Sequence, residues 1–124
     1  MVIITGADRI VVDETTERGG DLVIAGGFVH GPGGLVTGAD SEVVEADGCI
    51  VTPGLINAHH HLMQSAFRTL PGTRGVPMRD WLPTMAAAYA EAGIDSDLCG
   101  RAASVALAEG LLCGVTTVAD HHLA

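Results

Sequence analysis

The chain has 124 residues, nearly half of them apolar, and a formal net charge of −9; all six basic residues are arginines and there is no lysine. That length is one domain or less. The acidic balance argues against a nucleic-acid surface, which needs a basic stripe, and against docking on an anionic membrane.

Three cysteines, Cys49, Cys99 and Cys113, form no C-x-x-C pair. An odd, scattered set reads as free thiols in a reducing compartment. Cys99 and Cys113 fall on one expected helix, about 21 Å apart at its rise per residue, too far for a disulfide. The N-terminus lacks a basic segment followed by a long apolar run, as a secretory leader would have. No apolar run approaches the roughly 20 residues of a membrane span. The expected location is the cytoplasm.

Residues 2–52 read as short strands separated by turns. Val2 to Ile4 and Arg9 to Val12 are β-branched runs, and Asp13 to Gly20 is a polar loop. Asp21 to Ala25 and Phe28 to His30 flank Gly26-Gly27, a hairpin signal because a type I′ turn needs positive φ at both central positions. Gly31 to Gly34 ends that element. Glu42 to Glu45 and Cys49 to Thr52 are two more strands joined by an Asp47-Gly48 turn. The expectation is a small antiparallel sheet without chemistry of its own. A phosphate loop is not expected, since G-x-x-x-x-G-K-[ST] cannot occur without lysine and no strand-G-x-G-x-x-G-helix unit appears.

Pro53-Gly54 breaks this pattern and launches Leu55 to Ala58, an apolar strand running into His59, His60 and His61. Strand alternation puts His59 and His61 on one face and His60 on the other. Two imidazoles so spaced can reach one metal ion. A connection follows, with a helical turn around Met63 to Phe67, and long connections of this kind often cover active sites. The spacing predicts a helix from Arg79 or Asp80 to Ala92, with Pro83 inside its first turn and Gly93 ending it. A second helix is predicted over Asp97 to Cys113, capped by Asp95 or Ser96. Its buried stripe is expected to be Leu98, Ala102, Val105 and Leu112, with an Asp97–Arg101 pair on its surface. Val115 to Ala119 is a final strand leading into Asp120-His121-His122. Strand, helix, helix, strand is the parallel crossover unit, with its metal-capable residues at the C-terminal strand ends where α/β folds place active sites.

P-G-L-I-N-A-H-H-H-L from Pro53, L-A-E-G-L-L-C-G-V-T-T-V-A-D-H-H from Leu107, and the glycine-punctuated strands before them resemble the N-terminal third of the amidohydrolase superfamily. The closer resemblance is to its deaminase and chlorohydrolase branch: guanine, 8-oxoguanine and pterin deaminases and the s-triazine hydrolases. The resemblance implies an α/β fold, with N-terminal β-sandwich strands in residues 1–52 and the first strands and helices of an incomplete (β/α)8 barrel in 53–124. A full barrel takes about 250 residues, so this chain is expected to be the start of a larger enzyme.

The resemblance further implies that His59 and His61 are the first two ligands of one divalent metal, zinc by default with iron compatible. The metal would lower the pKa of a water and supply hydroxide to an amidine-like ring carbon, releasing ammonia. Gln64 resembles a substrate-binding glutamine, whose amide can both donate to and accept from a heterocycle edge. His121 is a second candidate pocket residue, set against a plain strand-end histidine. Asp120 is a candidate to orient a ligating histidine. Trp81, Arg68 and Arg74 have simpler readings as a hydrophobic anchor and solvated loop arginines. The expected partner is a small heterocycle, with homo-oligomerisation open for the intact protein. A competing expectation is a non-catalytic remnant or a chain that folds beside a complementing partner.

Overall fold

The computed structural model describes residues 1–31 and 40–121. The chain divides into two compact units, Met1–Pro53 and Gly54–Ala124.

The first unit is a five-stranded sheet of β1 (Val2–Val11), β2 (Glu17–Ala25), β3 (Phe28–His30), β4 (Glu42–Glu45) and β5 (Ile50–Val51). The two expected N-terminal runs are one strand. It passes through Gly6 at φ 71° with a register shift between Ile4 and Ala7, a bulge that a glycine tolerates and other residues resist. The expected loop is shorter than its polarity suggested, because Glu17 to Gly20 already pair with β1. Gly26 and Gly27 take φ of 58° and 81°, and β2 and β3 form the expected hairpin. Pro32 to Gly34 lie outside the described residues.

The sheet is mixed, not antiparallel. β4 and β5 both run parallel to β1, one behind the other, at Val2–Glu42 to Thr5–Glu45 and then Arg9–Ile50. Asp47-Gly48 is the expected turn, closed by the Cys49 N–H donating to the Ala46 carbonyl at 2.9 Å, but it continues the chain along β1 instead of reversing it. Asp8 spans it, its N–H donating to the Cys49 carbonyl at 3.1 Å and its Oδ1 accepting from Gly48 N at 3.3 Å. Ala7, Ile10, Leu22 and Ala46 form the buried core of this sheet, with Ile4 and Val51 packed against them.

The second unit contains β6 (Leu55–His60), a 3-10 helix (Leu62–Phe67), α1 (Met78–Ala92), α2 (Ser96–Leu112) and β7 (Val115–Asp120). β6 and β7 pair in parallel, as a crossover through helices requires. The helical turn expected after the histidines is the 3-10 helix. α1 begins earlier than expected, at Met78, which leaves Pro83 in its second turn. Proline there has no N–H for the Arg79 carbonyl, a local weakness that packing must offset. Gly93, at φ 61°, closes the helix.

α2 starts as its sequence indicates. Asp95 Oδ1 accepts from Leu98 N at 2.8 Å, and Asp97 pairs with Arg101 one turn on. Its buried face keeps Ala102 of the expected stripe and otherwise differs from it. Ala102 and Ala106 are buried, whereas Val105 and Leu112 are 54% and 89% exposed. The reason is a close approach. The 3-10 helix lies on α2 with Ser65 Oγ 2.6 Å from the Ala102 carbonyl. Leu62 and Met63 of the 3-10 helix and Met85 of α1 are also buried. Among the described residues, no helix is long and apolar enough to cross a membrane.

Candidate active site

The β6–β7 ladder is irregular at both ends. Leu55 pairs with Val115 but Ile56 pairs with Thr117, so Thr116 is an extra residue on β7. It sits against Gly54, where a Cβ would lie 2.7 Å from the Thr116 Cβ. At the other end the surplus is on β6: Asn57 pairs with Val118 and His60 with Asp120. A bulge of this kind re-aims side chains. Asn57 Oδ1 accepts the His59 N–H at 3.2 Å inside it.

This irregularity corrects one expectation. Strict alternation would turn His60 away from His59 and His61, yet all three line one hollow of about 350 Å³. His60 Nδ1 is enclosed there without a hydrogen-bond partner. The signal for it was Asn57, a residue that bonds its own neighbouring backbone and so interrupts a ladder.

His59 and His61 present their rings 5.1 Å apart at 78°. Two imidazoles on one tetrahedral zinc, with bonds of about 2.0–2.1 Å, have ring centroids about 5 Å apart. The separation of the pair matches that spacing. His61 Nδ1 lies 2.7 Å from the His121 carbonyl oxygen. A carbonyl only accepts, so Nδ1 carries the hydrogen and Nε2 keeps the lone pair a metal needs. The backbone of His121 is fixed in turn, its N–H donating to the His60 carbonyl at 2.8 Å. The His121 ring stacks on His59 at 4.3 Å and 28°, a face-to-face buttress for that ring. Among the described residues no group of three His, Cys, Asp or Glu side chains could hold a metal, so a tetrahedral site would need ligands beyond this pair. Asp120 accepts the Leu62 N–H at 2.9 Å, which fixes the chain where it leaves the histidines.

The rest of the hollow comes from the 3-10 helix and α1. Gln64, Ser65, Phe67 and Arg68 face it from the first, and Trp81 and Met85 from the second. The Gln64 N–H donates to the His61 carbonyl at 2.9 Å, which couples the glutamine to the histidines. The Ser65 hydroxyl lies between two carbonyls, 2.6 Å from that of Ala102 and 2.8 Å from that of Leu62, and its single hydrogen serves one at a time. Ser65 is a structural tie that the motif did not reveal. Arg68 pairs with Glu109 of α2 at 2.5 Å. The pair raises the Arg68 pKa and holds the Glu109 carboxyl below its usual 4.5. Arg68 thus reaches the hollow with its charge already partnered.

The expected residues fall as follows. His59, His61 and Gln64 share the hollow, and Trp81 lines it. His121 contributes its carbonyl and its stacked ring rather than a lining side chain. Arg74 is exposed in the connection, and His122 lies outside the described residues. Behind the lining, the Tyr89 ring meets Phe67 edge-on at 4.8 Å. Its hydroxyl is buried without a well-formed hydrogen bond. Burial pushes that phenol above its usual 10.0, and the Gln64 side chain draws it part of the way back.

A mixed sheet is followed by a parallel strand–helix–helix–strand unit with histidines at the C-terminal end of its first strand, the arrangement of the start of a (β/α) barrel. The model of the amidohydrolase family matches residues 50–124, and the chain belongs to that family. An isoxanthopterin deaminase from an unknown prokaryotic organism is 30% identical over 120 residues, covering 97% of this chain and 25% of the relative. An 8-oxoguanine deaminase from Pseudomonas aeruginosa is 36% identical over 110 residues, covering 82% of this chain and 24% of the relative. A triazine hydrolase from Arthobacter aurescens superposes with a TM-score of 0.80 at 32% identity, over 98% of this chain and 28% of that one. The chain thus spans about a quarter of the length of these relatives. Its fold is the N-terminal part of an amidohydrolase barrel, with the β-rich segment that precedes it.

Proposed function

We propose that His59 and His61 are the first two ligands of one divalent metal, zinc ahead of iron, in a hydrolase acting on a C–N bond of a heterocyclic amidine. The observation that carries this reading is the pair of rings 5.1 Å apart with His61 Nδ1 held by the His121 carbonyl. When bound, the metal supplies an activated water for attack on an amidine-like ring carbon. The chain's own residues do the rest of the work at this end of the site. His121 fixes the tautomer of His61 and buttresses His59. Gln64 offers its carboxamide to the edge of the heterocycle, and Trp81 offers a flat apolar wall. Ammonia is the leaving group.

A purine such as 8-oxoguanine or guanine, or a pterin, is the favoured substrate, since two deaminases of such rings are among the relatives. An s-triazine is the second reading, supported by the structural similarity to a triazine hydrolase. The free thiols of Cys49, Cys99 and Cys113 fit a cytoplasmic setting. The test is ammonia release from a panel of purines, pterins and s-triazines by the polypeptide as its gene encodes it, with zinc supplied. Turnover of an amino-substituted ring that disappears in His61→Ala is expected. Equal turnover in that variant would refute the reading. The 124-residue chain alone is expected to show no turnover, and release above a His59→Ala control would contradict that.

A further inference from the structure

The mechanism above leaves Tyr89 unused, although its hydroxyl is buried without a hydrogen bond. Buried polar groups are normally paired, and an exception calls for a reason. Tyr89 lies on α1 and packs edge-on against Phe67 at 4.8 Å. Phe67 follows Gln64 by three residues on the 3-10 helix, and side chains at that spacing eclipse. α1 therefore presents its tyrosine to the face of the 3-10 helix that carries Gln64. A carboxamide has a donor end and an acceptor end, and a neighbour that takes one leaves the other for a ligand.

We propose that Tyr89 is a positioning residue for Gln64: its phenol oxygen accepts from Gln64 Nε2 and leaves Oε1 facing the hollow, where it selects an N–H donor on the ligand edge. This rests on the reading of the hollow as a heterocycle site. The amino group of an amidine edge is an N–H donor, which a carboxamide oxygen accepts. The Gln64 side chain also lowers the Tyr89 pKa against burial, consistent with an amide near the phenol. Closing this hydrogen bond would align the amide before any ligand arrives. Tyr89 touches no reacting atom, and its effect passes through Gln64.

Two measurements test this, and the chain provides a probe for each. Tyr89 is its only tyrosine and Trp81 its only tryptophan. In an alkaline absorbance titration, Gln64→Leu is expected to raise the tyrosine midpoint, because the N–H donor is lost. A lower or unchanged midpoint would overturn the proposed orientation, whatever the hollow binds. The second measurement follows Trp81 fluorescence on titration with adenine and with 6-methylpurine, which differ by an amino group in place of a methyl. The wild-type chain is expected to prefer adenine by about tenfold, the factor equivalent to about 1.4 kcal/mol. Tyr89→Phe, which keeps the packing, is expected to bring that preference close to unity, as is Gln64→Ala. If Gln64→Ala keeps the preference, the hollow is not the site supposed and the proposal falls with it. If Gln64→Ala loses it and Tyr89→Phe keeps it, the positioning role alone is refuted.

Discussion

Substituting Gly54 by alanine tests the strand pairing on which the histidines depend. Gly54 leads directly into β6 and faces Thr116, the surplus residue of β7. A new Cβ would collide with the threonine side chain. Rotating Thr116 relieves part of the clash, but its Cβ stays 2.7 Å away because the backbone fixes it. Carbon atoms make favourable contact at about 3.5–4.0 Å, so the strands must part by about 1 Å. Overpacking of this order costs about 1–3 kcal/mol. With a urea dependence of about 1 kcal/mol/M, the unfolding midpoint should drop by about 1–3 M. Removing the opposing side chain should restore the space. Thr116→Gly weakens a strand by about 0.5–1 kcal/mol on its own, yet combined with Gly54→Ala it should recover most of the loss. The assay is urea unfolding of the two single variants and the double, treated as a cycle. A loss below about 0.5 kcal/mol for Gly54→Ala, a range usual for uninvolved surface sites, would refute the reasoning, as would strict additivity in the double variant.

Two further outcomes follow from the helices. Asp95→Ala removes the acceptor for the Leu98 N–H and should destabilise the second unit by about 0.5–2 kcal/mol in the same urea assay, with Asp95→Asn close to wild type. Glu109 should titrate below 4.5 by carbon-detected NMR and return toward 4.5 in Arg68→Met, because the arginine favours its charged form. The sign for stability is fixed by that depression: the pair's contribution is complete above about 4.5, disappears as pH falls through the lower folded value, and shrinks in high salt.

The parts legible in the sequence are those with a local cause. Gly26-Gly27 announces a hairpin because both positions need positive φ, and Asp95 announces a helix start because its carboxylate reaches Leu98 N. The histidine strand is legible from its apolar lead and its following helices. Non-local features left no such mark. Nothing in Glu42 to Val51 says that the segment pairs parallel to β1, since strand direction is decided by the partner. The buried face of α2 kept the expected Ala102 and added Ala106, where the 3-10 helix lies close, while Val105 and Leu112 stayed exposed. His60 joined the hollow through a surplus residue that alternation does not foresee. The tie from His61 to the His121 carbonyl spans sixty residues, which no local pattern encodes.

Zinc titration of the chain against a competing chromophoric chelator tests the central claim, that His59 and His61 ligate one metal together. One equivalent should bind, and His59→Ala and His61→Ala should each weaken it by at least about tenfold, the loss of one of two protein ligands. His30→Ala, whose ring Nε2 lies 3.3 Å from the Ala25 carbonyl in the first unit, should bind as the wild type does. Equal affinity in all three variants would contradict the account.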